Sequence, residues 1–162
     1  MFLACDAQIG CIFKLKSMNS PGEPRMVKVE LSDADGNTES HRATPIGENL
    51  YRLENSPFFA YNVSWQDIIE AKPDEEGIPI FVRVVEKSGN RTIRVILESA
   101  ESQRILDALI QLGCSYGGAN PSYLSVNIPI EANFQAVCGY LIQSGVQWEY
   151  ADPSYDKLHP NT

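Results

Sequence analysis

Histidine is nearly missing from this chain, and its four cysteines form no CxxC pair. His41 and His159 are read as having no Cys, Asp or Glu partner at ligand spacing. Both are taken as ordinary surface or core side chains, and no metal site is expected. Without a paired Cys pattern in a cytosolic context, a disulfide framework is not expected either; Cys114 and Cys138 fall in patterns of buried thiols. Long apolar runs are absent, far short of the roughly 20 residues that cross a bilayer, so no membrane role is expected. The opening Met1-Phe2-Leu3-Ala4-Cys5-Asp6 carries an acid where a secretory signal has its basic region, which predicts a cytoplasmic protein.

Positive charge is also scarce. The chain carries a net charge of −8. Residues 27–91 hold seven basic and twelve acidic side chains, and residues 92–152 hold two and six. Both stretches are acidic, so no basic domain is hidden in the total. Binding to phosphate backbones needs clustered Lys and Arg, and nucleic acid is excluded as a partner. A basic protein partner or a cationic ligand suits this field, and the plainer alternative is acidity that keeps the protein soluble. No pattern sets an oligomeric state.

What the chain does have is a clear change of hydrophobic period. Residues 1–26 read as a flexible tail with linker composition at Ser17–Pro24, and Met1, Met18 and Met26 are each candidate starts. From 27 to 91 the period is mostly two. Strands are expected at 27–31, 41–46, 50–54, 67–71 and 80–86, separated by polar turns, which predicts a small β-barrel-like subdomain. From 92 to 152 the order changes to β-α-β-β-α-β, with helices over about 101–112 and 132–144. That order predicts a ferredoxin-like subdomain. The stripe Phe134, Val137, Cys138, Leu141 and Ile142 marks the buried face of the second helix. Residues 153–162 read as a loose tail. The fold class expected is therefore α+β: a small N-terminal barrel-like half, then a ferredoxin-like βαββαβ half.

The motifs of catalysis are missing. Gly113-Cys114-Ser115-Tyr116-Gly117 resembles a nucleophile elbow in glycine spacing alone and leads from helix to strand, the reverse of the elbow. A thiol at a helix C-terminus is raised in pKa rather than activated. Gly117-Gly118 feeds a strand, so it is read as a hairpin and not as a phosphate loop. No catalytic residue and no cofactor is expected. Arg83 and Arg94 are read as lying on adjacent strands, meeting Glu54, Glu70 or Glu86 in ion pairs. Asp74-Glu75-Glu76 reads as a solvated acidic turn; the sharper alternative is a contact for a basic partner.

The run Tyr51 to Ser64 stands out. It gathers four of the thirteen Phe and Tyr residues, and Pro57, Asn55, Ser56 and Asn62 bar regular helix. Such a segment plugs a barrel end or forms a binding surface. Tyr61, Asn62 and Ser64 are its polar candidates for ligand or partner contact.

These residues resemble a known family. Tyr51-Arg52-Leu53-Glu54-Asn55-Ser56-Pro57-Phe58-Phe59-Ala60-Tyr61-Asn62-Val63-Ser64 is similar to the core motif of the bacterial domain-of-unknown-function family 4265. Asp67, Ile69 and Ala71 match its next segment. Val85, Ser88, Gly89, Arg94 and Val95 match another, and Leu112 to Tyr116 a last one. The resemblance covers about 27–152. Where the family has Gly before the Asp, this chain has Gln66. The resemblance implies a stand-alone small bacterial protein and brings no catalytic residues with it.

Two functions are expected from these observations. The first is a non-enzymatic binding protein, in its sharpest form an immunity- or antitoxin-type protein that neutralises a basic toxin through Asp74, Glu75 and Glu76. The alternative is a small-molecule-sensing regulatory module. Its ligand would bind at the seam between the halves, near Tyr61, Asn62, Arg94 and Tyr116. An enzyme comes last, because no convergent set of titratable groups is legible.

Overall fold

Alternation of apolar and polar residues sends every second side chain of the first strands inward. In a computed structural model, which describes residues 25–98 and 100–161, β1 (Val27–Ser32) buries Val29 and Leu31, and β2 (Thr38–Gly47) buries Glu39, His41 and Ala43 on the same face. β3 (Leu50–Leu53), β4 (Ile68–Pro73) and β5 (Pro79–Glu86) follow as an antiparallel meander. Parallel pairing of β1 with β5, at Glu30 and Ile80, closes the five strands into a barrel. Val29, Leu31, Ala43, Leu53, Ile69 and Ala71 fill it, with Ala60 and Val63 from the aromatic run added at one end. The barrel-like half read from the sequence is thus a closed barrel. The second strand begins at Thr38, earlier than the alternation was read to start. The tail over residues 1–24, with Cys5 and Cys11, lies outside the described residues.

The second sheet follows from β6 (Arg91–Ile96), β7 (Ser115–Asn120), β8 (Tyr123–Ile128) and β9 (Gln147–Asp152), in the order β7-β8-β6-β9 with all neighbours antiparallel. Helices α1 (Ser102–Gln111) and α2 (Phe134–Ser144) bury Ile105, Leu109, Val137 and Leu141 against Ile93, Val95, Val126 and Ile128. Gly113 and Gly145, both at positive φ, end the two helices. The two central strands are buried on both faces. One face meets the helices; the other carries Thr92, Arg94, Ser125 and Asn127, all buried. Gly117-Gly118 lies in the β7–β8 hairpin, as read. The chain is thus a mixed α/β protein, mostly strand, with a closed barrel, a second sheet and few helices.

Three expectations are corrected. Ile142 is 66% exposed; the buried face of α2 is Val137, Cys138 and Leu141, and Ile142 lies one residue's rotation off it. Arg83 and Arg94 do not share a sheet: Arg83 on β5 pairs with Glu70 at 2.7 Å, whereas Arg94 on β6 meets Glu149. Residues 155–158 form a short helix, α3 (Tyr155–Leu158), where a loose tail was expected; its Tyr155 ring stands 6.2 Å from that of Tyr150.

Gln66 adopts φ +66°, a left-handed conformation that only glycine takes without strain. A glutamine at this position therefore carries a physical cost. Gln66→Gly should stabilise the fold by about 0.5–1 kcal/mol, the relief of strain less the entropy of the added glycine. Chemical denaturation checks this; an unchanged or lowered midpoint would contradict the assignment.

Candidate functional site

The β3–β4 connection, residues 54–67, is irregular, so its backbone groups need partners outside any ladder. Glu39 supplies them from inside the barrel. Its carboxylate accepts hydrogen bonds from Phe58, Phe59 and Ala60 N–H at 2.7, 2.9 and 2.7 Å, and from His41 Nε2 at 2.6 Å. The connection's carbonyls face the other way. Ser125 Oγ donates to Pro57 O at 2.8 Å, Tyr123 Oη donates to Phe58 O at 2.9 Å, and Arg94 Nη2 donates to Ala60 O. The Phe58 ring lies over Gly117 and stacks on His41. The aromatic run is therefore the packing layer between barrel and sheet.

His41 is partnered on both nitrogens, which corrects the reading that it has no acidic neighbour. Arg42 N–H donates to Asn55 Oδ1 at 3.2 Å, which turns Asn55 Nδ2 towards His41 Nδ1 at 2.5 Å. The ring is thus held between Asn55 on its Nδ1 side and Glu39 on its Nε2 side. Burial alone would raise the Glu39 pKa. The hydrogen bond and charge of His41, with the backbone N–H groups, outweigh it and lower the value from 4.5 to about 2.

A second cluster locks the seam. Asp67 is fully buried and accepts from Ser64 N–H, Ser88 N–H and Lys87 Nζ at 2.9, 2.8 and 2.5 Å. Lys87 Nζ also donates to Asp152 Oδ2. Ser64 Oγ donates to that same oxygen at 2.6 Å and takes a hydrogen bond from Thr92 Oγ1 at 2.7 Å. Asn62, at φ +62°, hangs on the end of β9 through Ala151 O at 2.8 Å and Ser154 N–H at 3.1 Å. Ser64 is thus a buried tie with no open face for a reactant.

Arg94 is 2% exposed. Its guanidinium lies 4.6 Å from the Tyr61 ring centroid, and Nη1 meets Glu149 at 3.3 Å. Its Nε is buried without a partner. Tyr61 Oη donates to Glu149 at 3.0 Å. Burial and the neighbouring Glu149 charge raise the Tyr61 pKa against the opposing pull of Arg94. Outside this group lies an open depression of about 800 Å³, lined by Tyr61 and Asn62 together with Trp148, Glu149, Tyr155 and Asp156.

The sequence candidates separate into distinct places. Tyr61, Asn62, Ser64 and Arg94 meet at the seam. Tyr116 pairs with Val126 and packs on the helix-side core, on the opposite face of the sheet from Arg94. Asp74, Glu75 and Glu76 form the β4–β5 turn. Strands alternate in direction around the barrel, so this turn sits beside the β2–β3 turn at the end away from the aromatic run; Ala71 N–H reaches Asn49 O there. The acidic turn and the seam are separate surfaces. Asp74 Oδ1 accepts from Glu76 and Ile78 N–H at 2.9 Å each, holding the turn rigid and leaving Glu75 and Glu76 pointing outward. Burial pushes the Cys114 thiol up to about 11, in keeping with a packing thiol. Among the described residues no three His, Cys, Asp or Glu side chains group as metal ligands, and no helix is long and apolar enough to cross a membrane.

A mixed α/β protein with a five-stranded barrel and a four-stranded sheet joined by one aromatic connection is the class that the geometry defines. Residues 39–150 match the family described as Domain of unknown function (DUF4265), and the chain belongs to that family, the one its residues resemble. It is also similar to a solved structure titled "Novel crystal structure of a hypothetical protein from Neisseria gonorrhoeae". The two share a TM-score of 0.69 and 19% identity over 85% of this chain and 99% of that one. At that identity the likeness shows the fold alone. No curated protein matches the chain.

Two predictions test this site. The folded Glu39 carboxyl binds its proton less tightly than the unfolded one, so its stabilisation is complete above pH 4.5 and is lost as the pH falls towards about 2. That loss amounts to about 3 kcal/mol, and Glu39→Gln should remove this part of the acid dependence while lowering stability at neutral pH. Denaturant titrations over the acid range check it; an identical acid slope in the variant would refute the anchor role. Lys87→Met leaves Asp67 and Asp152 facing each other without a cation and should cost about 1–3 kcal/mol. Adding Asp152→Asn should restore part of that, which a double-mutant cycle measures; strictly additive losses would deny the coupling.

Proposed function

We propose that this is a non-enzymatic binding protein that takes a basic protein partner, acting in the manner of an immunity or antitoxin protein that neutralises a basic toxin in the bacterial cytoplasm. The observation that carries this reading is the acidic β4–β5 turn. Glu75 and Glu76 are exposed on a backbone held by Asp74, and no ion pair among the described residues involves them. Exposed Glu48 sits at the same barrel end. With a net charge of −8, this end favours association with a positively charged surface. The titratable side chains at the seam fit structural work better than catalysis, since Glu39, Asp67, Lys87 and Asp152 are each bound to named partners. Sensing of a small molecule at the seam draws less support, because buried side chains fill the seam and the open space lies at its rim.

We also read the chain as two halves, 27–91 and 92–152, the second ferredoxin-like. The two separate apolar cores support the division. The order β7-β8-β6-β9, with the two helices packed on one face, supports the ferredoxin-like reading.

Affinity capture from the native host tests the function. The intact chain should retain one basic protein in stoichiometric amount, released by high salt. The double variant Glu75→Lys, Glu76→Lys should retain about tenfold less or none, as rim and tip charges govern such encounters. Recovery of no basic protein, or capture indifferent to the charge reversal, would overturn the reading.

A further inference from the structure

The second sheet has two outer strands, and they are treated differently. β7 carries Gly117 and Gly118 and an irregular register between Gly118 and Asn120, features that blunt an edge against further pairing. β9 shifts register only beyond Tyr150, where the chain turns into α3, and Gln147–Tyr150 itself is regular. It pairs residue by residue with β6, from Ile96–Gln147 to Ile93–Tyr150, and among the described residues no strand pairs on its other side. In an antiparallel pair, every second residue turns both its N–H and its C=O away from the partner. Those groups face outward here.

The open depression lies along this same edge. Successive residues of β9 alternate between the two faces of the sheet: Trp148 and Tyr150 pair with the helix-side residues Val95 and Ile93, and Glu149 pairs with Arg94 on the other face. All three line the depression, so it reaches side chains from both faces of the strand. Tyr61, Tyr155 and Asp156 also line it, and all three are exposed.

We propose that the β9 edge over Gln147–Tyr150 is a strand-addition site that takes an extended basic segment of a partner protein. The outward backbone groups supply the ladder, and the side chains flanking the edge supply selectivity for alternate residues. Asp156 is the carboxylate at the groove that no ion pair among the described residues engages, Glu149 being held by Arg94 and Tyr61, and the whole chain is acidic, so lysine or arginine on the added strand meets opposite charge. The aromatic rings of Tyr61, Trp148 and Tyr155 offer faces to the aliphatic stems and cationic heads of such residues. The inference deepens the binding-protein reading by assigning a second contact, at the end of the molecule away from the Glu75–Glu76 turn.

The test uses the full chain labelled with nitrogen-15 and a seven-residue, end-capped peptide of alternating lysine and valine. Amide shifts on titration should concentrate on 147–150, Tyr61 and 154–156, with slowed hydrogen exchange at the outward amides of β9. A peptide with its central valine replaced by proline loses a ladder donor and should bind about tenfold more weakly. A glutamate-for-lysine peptide should not bind, and Asp156→Asn should weaken the parent peptide. Equal binding by the proline peptide would reduce the effect to charge and overturn the proposal. Shifts confined to residues 74–77 would overturn it too, while leaving the acidic-turn reading intact; absence of any shift would do the same, since the capture experiment stands apart from this probe. A concentration-dependent dimer whose shifts fall on β9 without peptide would assign the edge to a second copy of the chain and overturn it as well.

Discussion

One carboxylate organises the junction of this protein. Glu39 accepts three consecutive backbone N–H groups, Phe58 to Ala60, and a fourth hydrogen bond from His41. Three aligned N–H groups make an anion site of the kind that elsewhere holds a phosphate; here the anion comes from the protein's own barrel wall. Turning these N–H groups inward forces the carbonyls of Pro57, Phe58 and Ala60 outward, where Ser125, Tyr123 and Arg94 donate to them. A polar face on the second sheet, costly to bury unpaired, thereby finds its partners in a segment that has no ladder of its own. Each side satisfies what the other leaves open. The depressed Glu39 pKa is the energetic signature: the charged form is favoured despite its burial.

The sequence makes regular elements legible and non-local ones obscure. The alternation in Val27–Leu31 and Ile69–Ala71, and the spacing Ile105–Leu109, mark inward faces with no knowledge of the fold. All five barrel strands and both long helices lie near their expected positions. Glu39 escapes the same reasoning. It sits two residues before the expected start of β2, and an acid on an inward face reads as a surface residue until its donors are known. Those donors lie about twenty residues on, and nothing in local pattern links them. The extension of the alternation back from Ala43 through His41 to Glu39 was the one available signal.

The candidate site shows the same division. Tyr61, Asn62 and Ser64 were legible because an aromatic, proline-broken run must do something other than form a helix or strand. Their union with Arg94 depends on the crossing of that run over β6. Tyr116 is read from the sequence as lying near the same seam. Strand register decides otherwise: Tyr116 stands opposite Val126, and Arg94 opposite Ser125. A shift of one position moves a side chain to the other face, and register is set by pairing that one chain's pattern does not reveal. Gln66 shows the limit from the other side: its departure from a glycine was noted as a difference of residue alone, and only the backbone shows that the position is left-handed.

The distribution of charge follows from these constraints. Buried ionic groups are costly unless paired, and each one here is tied into the architecture: Glu39 to the aromatic run, Asp67 and Asp152 to Lys87, Arg94 to Ala60 and Glu149. Side chains so engaged hold the seam closed and are not free to recognise a partner without loosening it. On the binding-protein proposal, recognition falls to groups whose removal leaves the seam untouched. Glu75 and Glu76 at one end, and the edge of β9 with Asp156 at the other, meet that condition. Asp74 does not, because its carboxylate is occupied in shaping the turn that presents its neighbours. Within one acidic triplet, then, the first residue builds the turn and the next two are left exposed on it.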